Sequence, residues 1–170
     1  MLTQFRPTQS SDLKQILYFN LDRTELFYFS PSTHYPLTLE QLEQQLCKHH
    51  ESIVMLEEKE IVGFANFYKV EKHNIAFIGN LLIKPEKRKQ GLGKQLLRYM
   101  IKYGFTKLHL KQVHLSCYQD NIPALSLYKS LGFKAYAYED RPDLNANIRH
   151  SDKQQTQLIH LRITNLSSVN

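Results

Sequence analysis

The sequence has few cysteines and no long apolar run, and these two absences exclude several classes of protein. Its 170 residues include only two cysteines, Cys47 and Cys117, in unrelated sequence contexts. Two such cysteines do not form the disulfide framework of a small secreted protein, so we expect reduced thiols. No apolar run approaches the roughly 20 residues of a membrane-spanning helix, and residues 1–12 lack the basic-then-apolar pattern of a signal peptide. We therefore expect a cytoplasmic protein without a membrane partner.

The composition predicts a folded chain that is either simply basic or binds a phosphate-bearing partner. Apolar residues make up 42% of the sequence and charged residues 22%, which predicts one domain over residues 1–170 with a packed core. The formal net charge is +6, and the positive residues concentrate only in residues 84–94. A nucleic-acid partner is not expected, because no nucleic-acid-binding motif with its required spacing is present. The local cluster favours a small ligand, and no metal site is predicted.

Residues 75–103 form the segment around which the rest of the chain is organised. The apolar run Ile75–Ile83 predicts a strand, and Gly91 and Gly93 open a run with apolar residues at helical spacing. The first amides of a helix have no internal acceptor, and the helix dipole adds partial positive charge there. A strand, a glycine turn and a helix in this order therefore form a candidate phosphate-binding site.

The spacing of the glycines distinguishes between phosphate motifs. Gly91-x-Gly93 lacks the third glycine of the dinucleotide-binding fingerprint, and the sequence contains no P-loop motif. Residues 88–93 instead match R-x-x-G-x-G directly after the predicted strand. This segment resembles the acyl-CoA pyrophosphate loop of the GNAT superfamily of N-acetyltransferases.

A second motif supports the resemblance. Residues 121–133 match N-x-x-A-x-x-x-Y-x-x-x-G-F, which is similar to a segment of GNAT proteins, and they follow a predicted strand over residues 112–118. The two motifs occur in the expected order, each in its expected strand–helix setting. The resemblance spans residues 2–138 and is weakest after Glu139.

The resemblance implies an α/β (α+β) fold with a mixed, mostly antiparallel sheet of six to seven strands, flanked by about four helices. The sheet is expected to split where residues 81–83 diverge from the strand over residues 112–118, and the split would hold acyl-CoA. Residue patterns predict strands over residues 2–6, 52–56, 61–70, 75–83, 112–118, 133–138 and 158–163. They predict helices starting near residues 12, 38, 91 and 121, an irregular connection over residues 26–35, a long loop over residues 139–155 and a frayed tail over residues 164–170.

The resemblance also implies roles for residues at matching positions. The expected cofactor contacts are Leu81, Leu82 and Ile83 for the pantetheine amides, Arg88, Lys89, Gln90, Gly91, Leu92, Gly93 and Lys94 for the pyrophosphate, and Asn121 and Ala124 of the second motif. Asn121 matches the residue that bonds the pantetheine arm. Tyr128 matches the tyrosine that protonates the departing CoA thiolate.

The implied activity is transfer of the acetyl group of acetyl-CoA to a primary amine, directly within a ternary complex. Direct transfer needs no protein nucleophile, so Cys117 is expected to be a buried apolar residue and not an acyl carrier. The acceptor would be a small-molecule or peptide amine, and the enzyme a monomer or a homodimer.

The general base is not assigned by the sequence. The acceptor amine must be neutral to attack the thioester, and GNAT enzymes often carry a carboxylate on the central strand or on the strand before the second motif. Here no Asp or Glu occurs in residues 74–83 or 108–119, where Asn80 and Ser116 lie instead. Ordered water could instead carry the proton to one of three groups: His114, His73 or Glu71. His114 is the best of these, because it shares a strand face with Ser116.

Aromatic residues in the connection over residues 26–35 are candidates for the wall of the acceptor pocket, or else they fill the core: Phe27, Phe29 and Tyr35. Two alternative functions also remain open. One is a CoA-binding sensor of the same fold, which the missing carboxylate would suit, although a pure binder would not need Tyr128. The other is a basic nucleic-acid-binding module, in which residues 84–94 would contact backbone phosphates.

Overall fold

The computed structural model describes residues 3–142 and 155–165. Seven strands form one sheet in the order β1-β2-β3-β4-β5-β7-β6. Their bounds are Thr3–Pro7 (β1), His50–Glu57 (β2), Glu60–Glu71 (β3), Ile75–Ile83 (β4), Gln112–Tyr118 (β5), Lys134–Pro142 (β6) and Gln155–Thr164 (β7). Only the β4–β5 pair is parallel, and the other neighbours are antiparallel. The predicted mixed, mostly antiparallel sheet is therefore confirmed.

Five α-helices lie within the described residues: Leu13–Leu17 (α1), Arg23–Phe29 (α2), Leu39–Lys48 (α3), Leu92–Thr106 (α4) and Ile122–Ser130 (α5). They pack in two layers, because consecutive residues of a strand point to opposite faces of a sheet. Met55 belongs to the core cluster that includes Leu96 of α4, whereas its neighbour Val54 belongs to the cluster with Ile16 of α1 and Leu42 of α3. In this part of the chain no helix is long and apolar enough to cross a membrane.

Helix α2 corrects one prediction, because residues 26–29 were expected in an irregular connection. Asp22 caps this helix by accepting a hydrogen bond from the amide of Glu25 at 2.8 Å, and the Glu25 carboxylate accepts from the amide of Asp22 at 3.2 Å. Such a reciprocal capping box satisfies two free amides of the first turn. The helix was not recognised from the sequence because Leu26, Phe27 and Phe29 are all buried, so the segment lacks the alternation of apolar and polar faces that identifies a surface helix.

The sheet splits at β4, as predicted. The parallel ladder between β4 and β5 ends at the pair Ile78↔Leu115. On the other side of β4, the four residues from Gly79 to Leu82 oppose the three residues from Phe64 to Asn66 of β3, which is a β-bulge. Asn80 lies in this bulge with a φ of +49°. The end of β4 therefore keeps its pairing with β3 and turns away from β5, which leaves one strand edge free.

The last two strands are longer than the sequence patterns predicted. Residues 139–142 were expected in a loop, but they continue β6 to Pro142, opposite β7, which begins at Gln155. Thr164 was expected in a frayed tail, but it pairs with Gln112 of β5. β6 is the edge strand and most of its side chains are exposed, so it lacks the apolar alternation that identifies a half-buried strand. The rest of the predicted loop, residues 143–154, and of the tail, residues 166–170, lies outside the described residues.

Candidate active site

The loop before α4 presents a row of backbone amides without partners. Gly91 is the N-cap of α4 with a φ of +81°, and the first helical hydrogen bond runs from the amide of Gln95 to the carbonyl of Gly91 at 3.1 Å. The amides of residues 89–94 find no acceptor within the described chain. Successive free amides at a helix N-terminus form a binding site for an anion. This is the loop in which the sequence placed the pyrophosphate contacts.

The two glycines of the loop, Gly91 and Gly93, are required for different structural reasons. Gly91 has a left-handed backbone conformation, which residues other than glycine rarely adopt. A Cβ at this position would meet no atom within 4 Å. A Cβ at Gly93 would lie 3.4 Å from Cδ2 of Leu127 in α5, which is ordinary van der Waals contact. Gly91 therefore shapes the turn and leaves open space beside it, while Gly93 faces α5.

Arg88 holds the loop in place. Its Nε donates a hydrogen bond to the carbonyl of Ile83 at 3.1 Å, and its guanidinium forms an ion pair with Glu25 of α2. Lys89 and Lys94, by contrast, form no ion pair with any described residue. The charge of Arg88 is thus partly balanced within the protein, and the two lysines carry the free charge of the loop.

A cleft of about 430 Å³ opens where β4 and β5 diverge. It brings together several residues singled out from the sequence: Phe29, Asn80, Ser116, Asn121 and Tyr128. It also contains polar residues that sequence reasoning missed, the main ones being His49, Tyr68, Arg141 and His160. The other aromatic candidates lie outside the cleft, because Phe27 is buried with its ring 4.6 Å from that of Tyr118, and the exposed ring of Tyr35 packs under Arg23.

Tyr128 lies on α5 and lines the cleft with 9% of its surface exposed. Burial raises the pKa of its phenol above the ordinary value of about 10. The hydroxyl has no hydrogen-bond partner in the described part of the chain. A neutral, unpaired phenol at this position can donate a proton to a ligand in the cleft.

Asn121 and Cys117 border the same cleft and have local roles. The Asn121 side-chain oxygen caps α5 by accepting from the amide of Ala124 at 3.4 Å, and its NH₂ group remains available as a donor. The Cys117 side chain is 5% exposed, and burial raises the pKa of its thiol to about 12. The thiol is therefore protonated at neutral pH and poorly suited to nucleophilic attack, which agrees with its predicted role as an apolar residue.

Asn80 connects the bulge of β4 to the neighbouring elements. Its Nδ2 donates to the carbonyl of Phe29 at 2.7 Å, and its Oδ1 accepts from Nδ2 of Asn66 at 3.0 Å. Asn66 Nδ2 also lies 2.9 Å from Nδ1 of His49. Burial, followed by the neighbouring side chains of His50 and Lys48, lowers the pKa of His49, so this ring is neutral at pH 7.

A second polar group borders the same cleft. Ser116 Oγ is 2.8 Å from Nδ1 of His160, and Nε2 of His160 is 3.4 Å from a carboxylate oxygen of Glu139. Arg141 Nε lies 2.8 Å from the other oxygen of Glu139. The hydrogen bond from Arg141 is the main cause that lowers the pKa of Glu139, so the carboxylate is ionised at neutral pH.

The three base candidates from the sequence do not line this cleft. His114 is 5% exposed, and its ring nitrogens lie 2.9 Å from the Tyr136 hydroxyl and 2.9 Å from Oε1 of Gln112. Burial lowers its pKa. His73 and Glu71 lie at the β3–β4 turn, at the end of β4 opposite the split. His49 and His160 take their place as the histidines of the cleft.

Comparisons with known proteins agree with this geometry. Residues 17–133 match the Acetyltransferase (GNAT) family. The chain belongs to this family. The family prediction made from the two motifs is therefore confirmed.

Relatives of this GNAT protein match it over only part of their length. It is 40% identical over 60 residues to an N-acetyltransferase 9-like protein of Nematostella vectensis, covering 35% of this chain and 30% of that protein. It is 26% identical over 94 residues to a spermine/spermidine N(1)-acetyltransferase of Bacillus subtilis, covering 52% of this chain and 62% of the relative. The chain thus spans less than two thirds of these proteins.

A solved structure shows that the fold extends over nearly the whole GNAT chain. The crystal structure of spermidine N-acetyltransferase from Vibrio cholerae, in complex with CoA and spermine, superposes with a TM-score of 0.79 at 19% identity. The alignment covers 99% of this chain and 98% of that one.

The described residues contain no group of three or more His, Cys, Asp or Glu arranged to hold a metal ion.

Proposed function

We propose that this protein transfers the acetyl group of acetyl-CoA to a primary amine, directly within a ternary complex. The observation that carries the proposal is the split of the sheet at Ile78↔Leu115, which frees an edge of β4 beside the cleft that contains Tyr128. A strand edge, a helix N-terminus with free amides and a proton donor together provide what an acyl-CoA thioester needs in order to bind and react.

The cofactor is proposed to lie along the split. Its pyrophosphate would accept hydrogen bonds from the free amides of residues 89–94, and Lys89 and Lys94 would supply positive charge. The pantetheine amides would pair with the free edge of residues 81–83 in the manner of an added strand. The free NH₂ group of Asn121 borders the cleft, and we propose that it and Ala124, both at the start of α5, contact the pantetheine arm.

The chemistry follows from the position of Tyr128. A neutral amine attacks the thioester carbonyl carbon and forms the C–N bond, and the C–S bond then breaks. The thiolate leaves more readily when the Tyr128 phenol donates its proton to the sulfur. The protonated, buried Cys117 is not needed, because the acetyl group passes from sulfur to nitrogen in one complex.

The ion pairs of the basic segment disfavour the nucleic-acid alternative. Lys84 pairs with Glu60 at 2.5 Å, Lys87 pairs with Glu57 at 3.0 Å, and Arg88 pairs with Glu25. These pairs balance much of the positive charge that a phosphate backbone would need. The alternative of a CoA-binding sensor is disfavoured because the Tyr128 hydroxyl is unpaired among the described residues and faces the cleft, and a protein that only binds CoA would not need this proton donor. The two unpaired thiols suit a cytoplasmic location.

Calorimetric titration with acetyl-CoA tests the proposal. Gly91→Glu places a carboxylate in the open space beside the free amides, so we expect it to abolish saturable binding. Gly132→Glu is the matched control, because Gly132 also has a positive φ, of +90°, and lies outside the cofactor loop. Binding by the wild type and the control but not by Gly91→Glu supports the proposal. No binding by the folded wild type would contradict it.

A further inference from the structure

Three side chains from neighbouring strands form a connected chain that reaches into the cleft. Ser116 of β5 lies opposite His160 of β7 in the antiparallel ladder, and Glu139 of β6 reaches the far side of the imidazole. The Ser116 hydroxyl and Nδ1 of His160 are 2.8 Å apart, and Nε2 lies 3.4 Å from the carboxylate. Only the tautomer with its proton on Nε2 satisfies both partners, since Nδ1 then accepts from the hydroxyl.

This chain begins at the place where the sheet opens. Leu115 is the last residue of β5 that pairs with β4, and Ser116 is the next residue. Ser116 and His160 line the same cleft as Tyr128. The Ser116 hydroxyl, which also hydrogen-bonds with Tyr68, therefore lies in the cleft where the proposed thioester would bind.

We propose that His160 accepts the proton of the acceptor ammonium through the hydroxyl of Ser116, and that Glu139 orients the ring. The proposal rests on the acetyl transfer proposed above and assigns the general base that the sequence left open. Ser116 would contact the amine, and Glu139 would be a positioning residue.

The protons balance in this scheme. The ammonium R–NH₃⁺ gives one proton to the Ser116 oxygen as the hydroxyl proton moves to Nδ1 of His160, so that neutral R–NH₂ and an imidazolium result. The amine forms the C–N bond, the C–S bond breaks, and the sulfur takes the proton of Tyr128. The second nitrogen proton then restores the Tyr128 phenol, and the imidazolium releases its proton to solvent. The products are the acetamide, CoA–SH and one proton.

Charged and titratable groups face His160 from each strand packed around it. Tyr136 and Glu139 of β6 lie beside the ring, and His114 of β5 and Arg162 of β7 lie nearby. Arg141 of β6 pairs with Glu139, and Tyr68 of β3 hydrogen-bonds with Ser116. Glu139 is the carboxylate in direct contact with the ring, and its negative charge attracts the ring N–H. Its side chain is 45% exposed, so solvent screening limits the strength of this effect.

His49 is the competing base, because it also lines the cleft. Its Nδ1 is bonded to Asn66, and no carboxylate is paired with its ring among the described residues. Burial and the neighbouring side chains of His50 and Lys48 lower the pKa of His49. His160, with a hydroxyl on one nitrogen and a carboxylate beside the other, is the better proton acceptor.

The test measures kcat/KM against pH for thiol release, with an alkylamine that the wild type acetylates. His160→Gln should lose about 10²-fold at pH 7. The loss should shrink toward unity as the pH approaches the pKa of the amine, about 10, where the amine is already neutral. Ser116→Ala should change the profile in the same direction. Glu139→Gln should lose less than His160→Gln at pH 7, and this loss should also shrink toward pH 10, because Glu139 acts only through the orientation of the His160 ring.

His49→Gln is the matched control and should keep the wild-type acidic limb. A pH-independent loss in His160→Gln, an unchanged profile, or transfer of the effect to His49→Gln would each overturn the proposal. The affinity for acetyl-CoA is measured on the same proteins. Wild-type protein that binds acetyl-CoA and acetylates the amine, with His160→Gln showing the wild-type profile, overturns only the role of His160. Wild-type protein that does neither overturns the acetyl transfer as well.

Discussion

The two sides of the cleft are built in different ways. The cofactor side is made of backbone: the free edge of β4 and the unpaired amides of residues 89–94 come from one continuous segment. The acceptor side is made of side chains from separate elements, such as His49 at the end of α3 and His160 on β7. Backbone geometry suits a constant ligand, whereas side chains can be replaced to suit a particular amine. We therefore expect substitutions on the two sides to change different kinetic quantities.

The largest expected effect separates chemistry from cofactor binding. Tyr128→Phe keeps the ring that packs 6.1 Å from that of Phe133 but removes the proton donor, so we expect kcat to fall about 10²- to 10³-fold. The affinity for acetyl-CoA should stay within about twofold of wild type, since the phenol acts on the leaving group. Initial-rate kinetics and calorimetry measure the two quantities. Tyr18→Phe, at a side chain that is 75% exposed, is the control.

The raised pKa of Tyr128 adds a pH test to the same experiment. A buried phenol stays protonated above its ordinary pKa of about 10. The wild-type kcat should therefore show no basic limb from phenol ionisation up to pH 10. A limb near pH 10 that Tyr128→Phe removes would show that the phenol ionises normally, and would contradict the buried environment described above.

The difference between a cofactor side made of backbone and an acceptor side made of side chains also decides what could be predicted from the sequence. The bounds of β4 and β5, residues 75–83 and 112–118, were predicted correctly, because a buried strand leaves a continuous or alternating apolar pattern. The conformation of Gly91 depends on its immediate neighbours, so the loop could be recognised from six consecutive residues.

The acceptor side could not be predicted in this way. Glu139 and His160 lie on strands whose pairing joins residues about 20 positions apart, and Ser116 meets His160 across 44 positions. His114 and Ser116 share a strand face, but neighbouring strands engage them differently: His114 bonds to Tyr136 and Gln112, outside the cleft. The strand register that places His160, and not His114, in the cleft cannot be read from local sequence patterns.

Helix α2 was missed although a signal for it was available. Asp22 and Glu25 form a capping box, in the spacing that usually marks a helix start.

A second, smaller effect tests the acceptor side through its packing. A Cβ at Gly79 would lie 2.6 Å from Cδ1 of Tyr68, so Gly79→Ala should displace this ring from the cleft. We expect a loss of about 1–3 kcal/mol in the free energy of unfolding and a higher KM for the amine, with unchanged affinity for acetyl-CoA. Denaturant unfolding and steady-state kinetics measure these changes.

Tyr68→Ala provides the control for this clash. In that background Gly79→Ala should cost little, because the contact that causes the strain is gone. Equal and additive effects of the two substitutions would show that Gly79 is required for another reason.

A smaller effect still is expected from the lysines of the loop. Lys89→Ala and Lys94→Ala should each weaken acetyl-CoA binding by about twofold to fivefold, since backbone amides supply most of the site and exposed charge pairs contribute about 0.2–1 kcal/mol. The loss should shrink at high ionic strength. Lys102→Ala, at an exposed position further along α4, should not change the affinity. A loss of more than about 100-fold from either lysine would mean that side chains, not backbone, dominate this side.

The smallest effect concerns the ion pair that connects the two sides. Arg88 and Glu25 are partly exposed, with 36% and 28% of their side-chain surfaces accessible, so their coupling should be below about 1 kcal/mol. A double-mutant cycle with Glu25→Gln and Arg88→Gln, read out as acetyl-CoA affinity, measures it. Zero coupling would show that α2 does not help to hold the loop, and the two sides of the cleft would then be independent.

Hydrogen exchange with and without acetyl-CoA tests the central claim most directly, because the claim concerns backbone amides. The amides of residues 89–94 are unpaired in the described structure, so they should exchange rapidly in the free protein. We predict that acetyl-CoA slows exchange in peptides covering residues 79–94 and leaves α3, residues 39–48, unchanged. Protection that appears elsewhere while residues 79–94 exchange as before, in a protein that binds the cofactor, would contradict the placement of acyl-CoA along the split of β4.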